Sequence, residues 1–521
     1  MTKIDLSKIK YLAFEGGGGK GLVYLGAVKS LEEKYAKLGN KKTNSPIIDL
    51  NVPLDKRKIK GISGASAGAI TSFMLSIGMS SRDIENEVNT TRYEKFDTGK
   101  MEVSQFELFF DKPNPKFMKA VIDNGDKIEY PNRYKYLITV VYSFIGGISF
   151  IFKGFDLIKF LFVKQSKSVP LKRVFNNPSD TSDYTFSALF NRGLFTGFTT
   201  RDYFASLIDN YLYKKIDFNE LLKPYLPQRI IGLDGTATNS IPRILDQGHI
   251  LRKLVINFET MLSNPEFRKS PVIKPSKDLT FYEFFYLTGV DLVITGTNLS
   301  KRRSLYLSLY HTPDLPVIDA VSISMNIPLI FKPIYVDYTV NVNENSEYNN
   351  RYKGLWVDGG MLNNFPIHAF DELLKTPMPI KENDLAVIPI AVTKANTIKP
   401  FSNIVLGFRI KGKPEEKDTE LEDDLMVISS YVGSLINTFM YSGGDGQIRT
   451  SQEEECTIYL DSYIENKKNK GKYQNDEKYS EISITDFASA GLDMIRGNTN
   501  MADVKKKLIT KAKDDTDAKI S

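Results

Sequence analysis

Two junctions near the start of the chain constrain its fold more than anything that follows. Tyr11 to Phe14 is a short apolar run that stops at Glu15 and then at Gly16-Gly17-Gly18-Gly19-Lys20-Gly21. Lys58 to Ser63 leads as a second run into Gly64-Ala65-Ser66-Ala67-Gly68. After each junction apolar residues recur at helical spacing: Leu22, Leu25, Val28 and Leu31 in the first case, Ile70, Phe73, Met74 and Ile77 in the second. The order strand, glycine loop, helix, strand, serine turn, helix predicts a parallel sheet covered by helices.

Consecutive glycines let backbone amides converge on one point without side chains in the way. The helix that follows adds the positive end of its dipole, so the loop suits a group that carries or develops negative charge. From the loop alone an oxyanion, a nucleotide and a plain tight turn all stay open. The dinucleotide fingerprint G-x-G-x-x-G is matched, but the acid expected at the end of the second strand is missing, and Asp49 lies in the loop before it. A P-loop needs Ser or Thr where this chain has Leu22.

The serine turn shifts the balance. G-x-S-x-G between a strand and a helix is a nucleophile elbow, with Gly64 and Gly68 avoiding clashes and Ser66 expected in the open. A helix N-cap made of small residues is the structural alternative. A hydroxyl at one helix start, beside a second helix start rich in amides, is what acyl transfer requires. The base would be Asp358, which closes the apolar strand Leu355–Val357 and precedes Gly359-Gly360. Parallel strands would bring such an end to the same sheet edge as the elbow.

The glycine loop, the Gly64–Gly68 elbow and Asp358-Gly359-Gly360, in this order, resemble the patatin family of lipid acyl hydrolases. LTFYEFFYLTGVDLVITGTNLS and DAVSISMNIPLIFKP are similar to family segments in the same places. The resemblance covers about 9–90, 191–213 and 279–497. It implies a three-layer α/β/α hydrolase with a mostly parallel sheet, interrupted by two largely helical insertions. It also implies a Ser66–Asp358 dyad, an oxyanion hole from the amides of Gly17, Gly18 and Gly19, and a metal-independent acyl-enzyme route without cofactor. Lys20 would shape the loop or face a lipid phosphate. The chain order Ser66, Asp358, His368 also matches the triad of α/β-hydrolases, but His368 stands in a segment expected to lead away as a helix.

The expected organisation is a core part at 1–95, an apolar-basic insertion at 96–190, a core helix at 191–214, a second helical insertion at 215–277, a second core part at 278–497 and a charged tail at 498–521, read as a frayed helix. Within the first insertion, Tyr136 to Phe152 runs 17 residues without a charge, and Lys159, Lys164 and Lys167 follow among Phe, Leu and Ile. A buried hairpin, a lid, an oligomer contact, an element dipping into lipid or a transmembrane helix at the short edge of the spanning range would all carry that pattern, and Tyr136–Lys172 is the candidate for lipid contact. A net charge of +6 over 521 residues gives no support to a nucleic-acid partner. One cysteine, Cys456, rules out an intrachain disulfide, and three histidines make a histidine-based metal site improbable. Cytoplasmic residence, peripheral at the membrane, is the expectation, with a phospholipid or other acyl-ester lipid as substrate and room for an activating ligand or partner protein. The competing class is a regulatory protein that binds nucleotide or phosphate in the glycine loop, with the serine turn purely structural.

Overall fold

The computed structural model describes residues 3–39, 45–52, 56–96, 99–104, 109, 193–222, 228–231, 237–240, 248–264, 271–337, 351–370, 404–412, 451–465, 479–481 and 499–521. Strands β1 (Tyr11–Phe14) and β2 (Gly61–Gly64) pair in parallel, with helix α1 (Tyr24–Gly39) between them. Helices α2 (Ala67–Ser76) and α3 (Ser81–Asn89) follow β2. Further along come α4 (Phe198–Leu207), α5 (Phe281–Thr288), β3 (Asp291–Asn298), β4 (Arg303–Leu307) and α6 (Val317–Ser324). The sheet is completed by β5 (Ile334–Val336), β6 (Gly354–Asp358), β7 (Val405–Lys411) and β8 (Thr457–Asp461), and α7 spans Thr499–Lys519.

β2 pairs in parallel with β3, and on the other side β1, β7 and β8 continue the parallel set. Leu12, Ile62 and Leu292 lie level across β1, β2 and β3. Because side chains alternate along a strand, these three share one face, with Ala13, Ser63 and Val293 on the other. The first face meets α1, α2, α4 and α6 through residues such as Val28, Phe73, Phe204 and Val321. The second is covered by Phe285 of α5 and by the segment from Phe365 to Phe370.

The expectation that Asp358 ends a parallel strand is overturned: β6 runs antiparallel to β3. Ile294 pairs with both Gly64 and Leu307, and Gly296 pairs with both Asp358 and Leu305. β4 therefore occupies one edge of β3, while β2 and β6 share the other. They approach from opposite directions, and their C-terminal tips meet along it. β3 is long enough, at eight residues, to hold both.

Two further expectations change. The region 215–277 holds short helices but also an antiparallel ladder between Gln228–Ile231 and Ala237–Ser240. Its Leu251, Leu254 and Phe258 join the main core beside Phe73. The lysine-rich C-terminal stretch is not a frayed tail. Leu508 and Ala512 of α7 pack with Ala27, Val28 and Leu31 of α1, Ser30 Oγ donates to Asp517 at 2.7 Å, and Lys513 bridges Glu33 at 3.1 Å. Ile4 N–H donates to Lys519 O at 2.8 Å, and Ser521 N–H returns to Ile4 O at 3.0 Å. Spacing of four between buried residues on α7 was the overlooked signal.

Tyr136–Lys172 lies outside the described residues. Among the described residues no helix is long and apolar enough to cross a membrane. α7 sits so close to α1 that a Cβ on Gly26 would come within 2.1 Å of Ile509 O. Gly26→Val is therefore expected to destabilise the protein by about 1–3 kcal/mol, as overpacking does. A lowered denaturant midpoint with unchanged slope is the outcome that would show it.

Candidate active site

The elbow is small for steric reasons. A Cβ on Gly64 would lie 2.3 Å from Gly68 O, and one on Gly68 would lie 2.3 Å from Phe14 O. Between them Ser66 holds φ 48° and ψ −120°. A non-glycine residue there stores about 1–3 kcal/mol of strain and persists only when its surroundings hold it. They do so here, because Ser66 N–H donates to Ser324 Oγ, 2.9 Å away at the end of α6.

Ser66 Oγ donates to Asp358 Oδ2 at 2.8 Å, across 292 residues of chain. Asp358 Oδ1 accepts from Gly360 N–H at 2.6 Å, within the 3-10 turn Gly359–Met361, so both carboxylate oxygens are engaged. Asp358 N–H donates to Asn326 O at 2.9 Å. The three residues Ser324-Met325-Asn326 thus grip Ser66 on one side and Asp358 on the other. A Cβ on Gly359 would lie 2.2 Å from Thr295 Oγ1, so only glycine lets this turn close against β3.

Both Ser66 and Asp358 are fully buried. The hydroxyl is therefore not in the open as expected; the start of the glycine loop and the Asp358 turn enclose it. Burial pushes the Asp358 carboxyl up to about 7, against the opposing effect of the hydrogen bonds from Gly360 and Ser66. Desolvation disfavours the ionised form, and two donors are too few to offset it.

The glycine loop lies directly against the elbow. A Cβ on Gly16 would come within 3.0 Å of the Ser66 Cβ, and one on Gly21 within 2.7 Å of the Ala67 Cβ. Gly17 leads into a 3-10 turn, Gly18–Val23, with Gly18 at φ 56°. The leading amides of such a turn have no partner within it, which is the state an oxyanion hole needs. Lys20 is buried at 5 % exposure, and its N–H donates to Gly17 O at 3.1 Å.

Sequence reasoning missed the residues that brace this loop. Buried Glu15 accepts from Ile410 N–H at 2.8 Å and pairs with Arg409 at 3.0 Å. Asn364 holds Gly16 twice: its carbonyl accepts from Gly16 N–H at 2.9 Å, and its Nδ2 donates to Gly16 O at 3.1 Å. Two adjacent asparagines in the apolar stretch MLNNFPI were the available signal, as were serines in the last turn of the apolar α6. His368 stands elsewhere, its Nε2 3.6 Å from Glu453 Oε2. His311 is buried, with Nδ1 2.8 Å from Ser308 Oγ and its pKa lowered by burial to about 3.

The sequence pattern described as "Patatin-like phospholipase" matches residues 12–371. The chain belongs to the patatin-like phospholipase family. The match takes in all three motifs and ends before β7, β8 and α7, so this patatin-like sheet is completed by strands from beyond it. A curated relative, "Probable lipid hydrolase 463L" of Invertebrate iridescent virus 6, is 34% identical over 92 residues, which is 18% of this chain and 27% of the viral protein. Among solved structures the chain is similar to VipD from Legionella pneumophila, at 16% identity and TM-score 0.28, over 98% of this chain and 70% of that one. It is also similar to ExoU of Pseudomonas aeruginosa in its complex with SpcU, at 14% identity and TM-score 0.32, over 99% of this chain and 52% of that one.

Two measurements follow from this patatin-like site. The Asp358 carboxyl, held near 7 in the folded chain against 3.8 as its ordinary value, binds more protons folded than unfolded between those limits. Stability is therefore lost as pH rises through about 7, the sign for a raised acid. Asp358→Asn is expected to raise the unfolding midpoint relative to wild type at pH 8 and to gain less at pH 5; equal gains at both would contradict the burial of an ionisable acid. Ser324→Ala removes the acceptor for a buried amide and should slow labelling of Ser66 by a fluorophosphonate by roughly five- to a hundredfold, with the fold retained by circular dichroism.

Proposed function

We propose that this protein is a serine acyl hydrolase that cleaves fatty acyl esters of lipids, phospholipids first among them, through a Ser66–Asp358 dyad. The observation that carries the reading is the 2.8 Å hydrogen bond from Ser66 Oγ to Asp358. A purely structural serine turn, as a nucleotide-binding protein would have, gives no reason to bury an acid against that hydroxyl. Membership of the patatin-like phospholipase family and the name of the viral relative support a lipid ester as substrate.

In the proposed cycle Ser66 Oγ attacks the ester carbonyl while Asp358 Oδ2 takes its proton. Amides of Gly17, Gly18 and Gly19 receive the oxyanion, each donor lowering the barrier by about 2.7–4 kcal/mol. As the tetrahedral intermediate collapses, Asp358 passes the proton to the departing lysolipid or alcohol. Water then attacks the acyl-enzyme, giving its proton to Asp358, and Ser66 regains it as the fatty acid leaves. A carboxylate of ordinary pKa is a weak base for an alcohol; one held near 7 is better matched to the task. Nucleophile and base are both protein groups, so no metal ion is required. Lys20, buried under the loop, is assigned to shaping it, and Tyr136–Lys172 to contact with the lipid surface.

Mass spectrometry of products from mixed-lipid vesicles tests the reading. Wild type should release free fatty acid and lysolipid, with an acid limb near pH 7 and no loss in EDTA. Ser66→Ala and Asp358→Asn should each lower the rate by about 10⁴-fold or more. Persistent hydrolysis by Ser66→Ala would end the proposal, and inactivation by EDTA would end its metal-independent form.

A further inference from the structure

A groove begins at Gly18, Gly19 and Ala67, where the glycine loop meets the elbow, and runs away from the dyad between α1, α2 and α3. Its walls are Leu25 and Val28 from α1, Ile70 and Met74 from α2, and Ile84 and Val88 from α3. The two wall side chains that carry hydroxyls are already occupied. Tyr24 Oη donates to Glu15 O at 2.5 Å, and Thr71 Oγ1 donates to Ala67 O at 3.1 Å. The groove therefore offers a ligand apolar surface and nothing to pair with a sugar, a base or a headgroup. At the mouth, by contrast, lie the loop that gathers amides and the residue next to Ser66. Only a molecule with a polar, anion-forming end and a plain hydrocarbon body matches both.

We infer that this groove is the subsite for the acyl chain and that it holds about eight carbons, counted from the ester carbonyl. The inference rests on the acyl-hydrolase reading above and adds to it where the chain lies and how much of it is gripped. From Ala67 to Met74 the wall of α2 advances seven residues at 1.5 Å each, about 10 Å. Three backbone bonds span at most about 3.6 Å, so an extended chain of single bonds advances about 1.2 Å per bond. The far limit is set by a clasp one turn beyond Val28. There Ser81 N–H and its hydroxyl both donate to the Glu32 carboxylate, the first at 2.7 Å, and Lys29 pairs with Glu85 at 3.0 Å. These bonds tie α1 to α3, and none of these four residues lines the groove. Carbons beyond the gripped length leave the groove and add no affinity there.

Displacement of 11-(dansylamino)undecanoic acid by unbranched fatty acids of four to sixteen carbons, on the full chain and on Ser66→Ala, tests this without turnover. Affinity should climb about fourfold per methylene up to about eight carbons and then level. Met74→Trp, which fills the distal wall, should move the plateau to shorter chains. Thr71→Trp, at a half-buried position nearer the mouth, should move it further and serves if the first variant fails to fold. No dependence on chain length, a climb that continues to sixteen carbons, or a plateau that neither variant moves would each overturn the inference. Hydrolysis of p-nitrophenyl esters is scored separately. Hydrolysis with a flat affinity series sinks the groove and spares the acyl-hydrolase reading, whereas a stepped series on a chain that hydrolyses no ester does the reverse.

Discussion

β3 runs four residues past the level at which β2 ends, and β6 fills the edge this leaves by arriving from the other direction. Pairing on a shared edge is what aligns two tips that come from segments nearly three hundred residues apart in sequence. Strand pairing fixes relative height to within a residue, because a slip by one would turn every side chain to the other face. Ser66 and Asp358 therefore meet as a consequence of register, before any hydrogen bond between them contributes. The bond then locks a geometry the sheet has already delivered.

Enclosure of that pair has two effects that pull against each other. Removing water raises the Asp358 carboxyl toward neutrality, which makes it a stronger base when it does ionise. The same burial makes its charged form costly to the folded chain, so the site is held at the expense of stability. The left-handed backbone of Ser66 adds strain in the same place. Both are tolerated because the surroundings over-determine them: Ser324 and Asn326 grip the two residues from one short segment, and Gly360 completes the shell around the acid.

The glycine loop is braced in a similar way. Four glycines in a row have many conformations open to them, and the proposed oxyanion role needs one. Glu15, fixed by Arg409 and by the Ile410 amide, anchors one end. Asn364, six residues beyond Asp358, holds Gly16 from both sides. The segment that follows the acid therefore also holds the start of the glycine loop across from it. Behind the loop, α7 packs along α1, and Ile4 hydrogen-bonds to Lys519 and Ser521 at its far end.

Much of this was legible in one dimension. Glycine and alanine at Gly64, Ala65, Ala67 and Gly68 mark a turn too tight for side chains, and helical spacing after each junction marks the helices; such signals are local, so the sequence carries them whole. It also carried the identity of the two residues that meet, since the serine turn and the acid before two glycines, each with a plain structural use alone, point to one chemistry when taken together. The direction in which Asp358 arrives was not legible, because parallel and antiparallel strands share the same alternation. β7 went unseen for a related reason: Gly407 interrupts its apolar run, and only the packed structure shows that a Cβ there would lie 2.5 Å from the Phe365 ring. Whether Ser66 is exposed or enclosed, which side chains brace the glycines, and that a lysine-rich tail is a packed helix all depend on contacts between distant segments. Those contacts exist only once the chain has folded, which is why tertiary structure alone decided them.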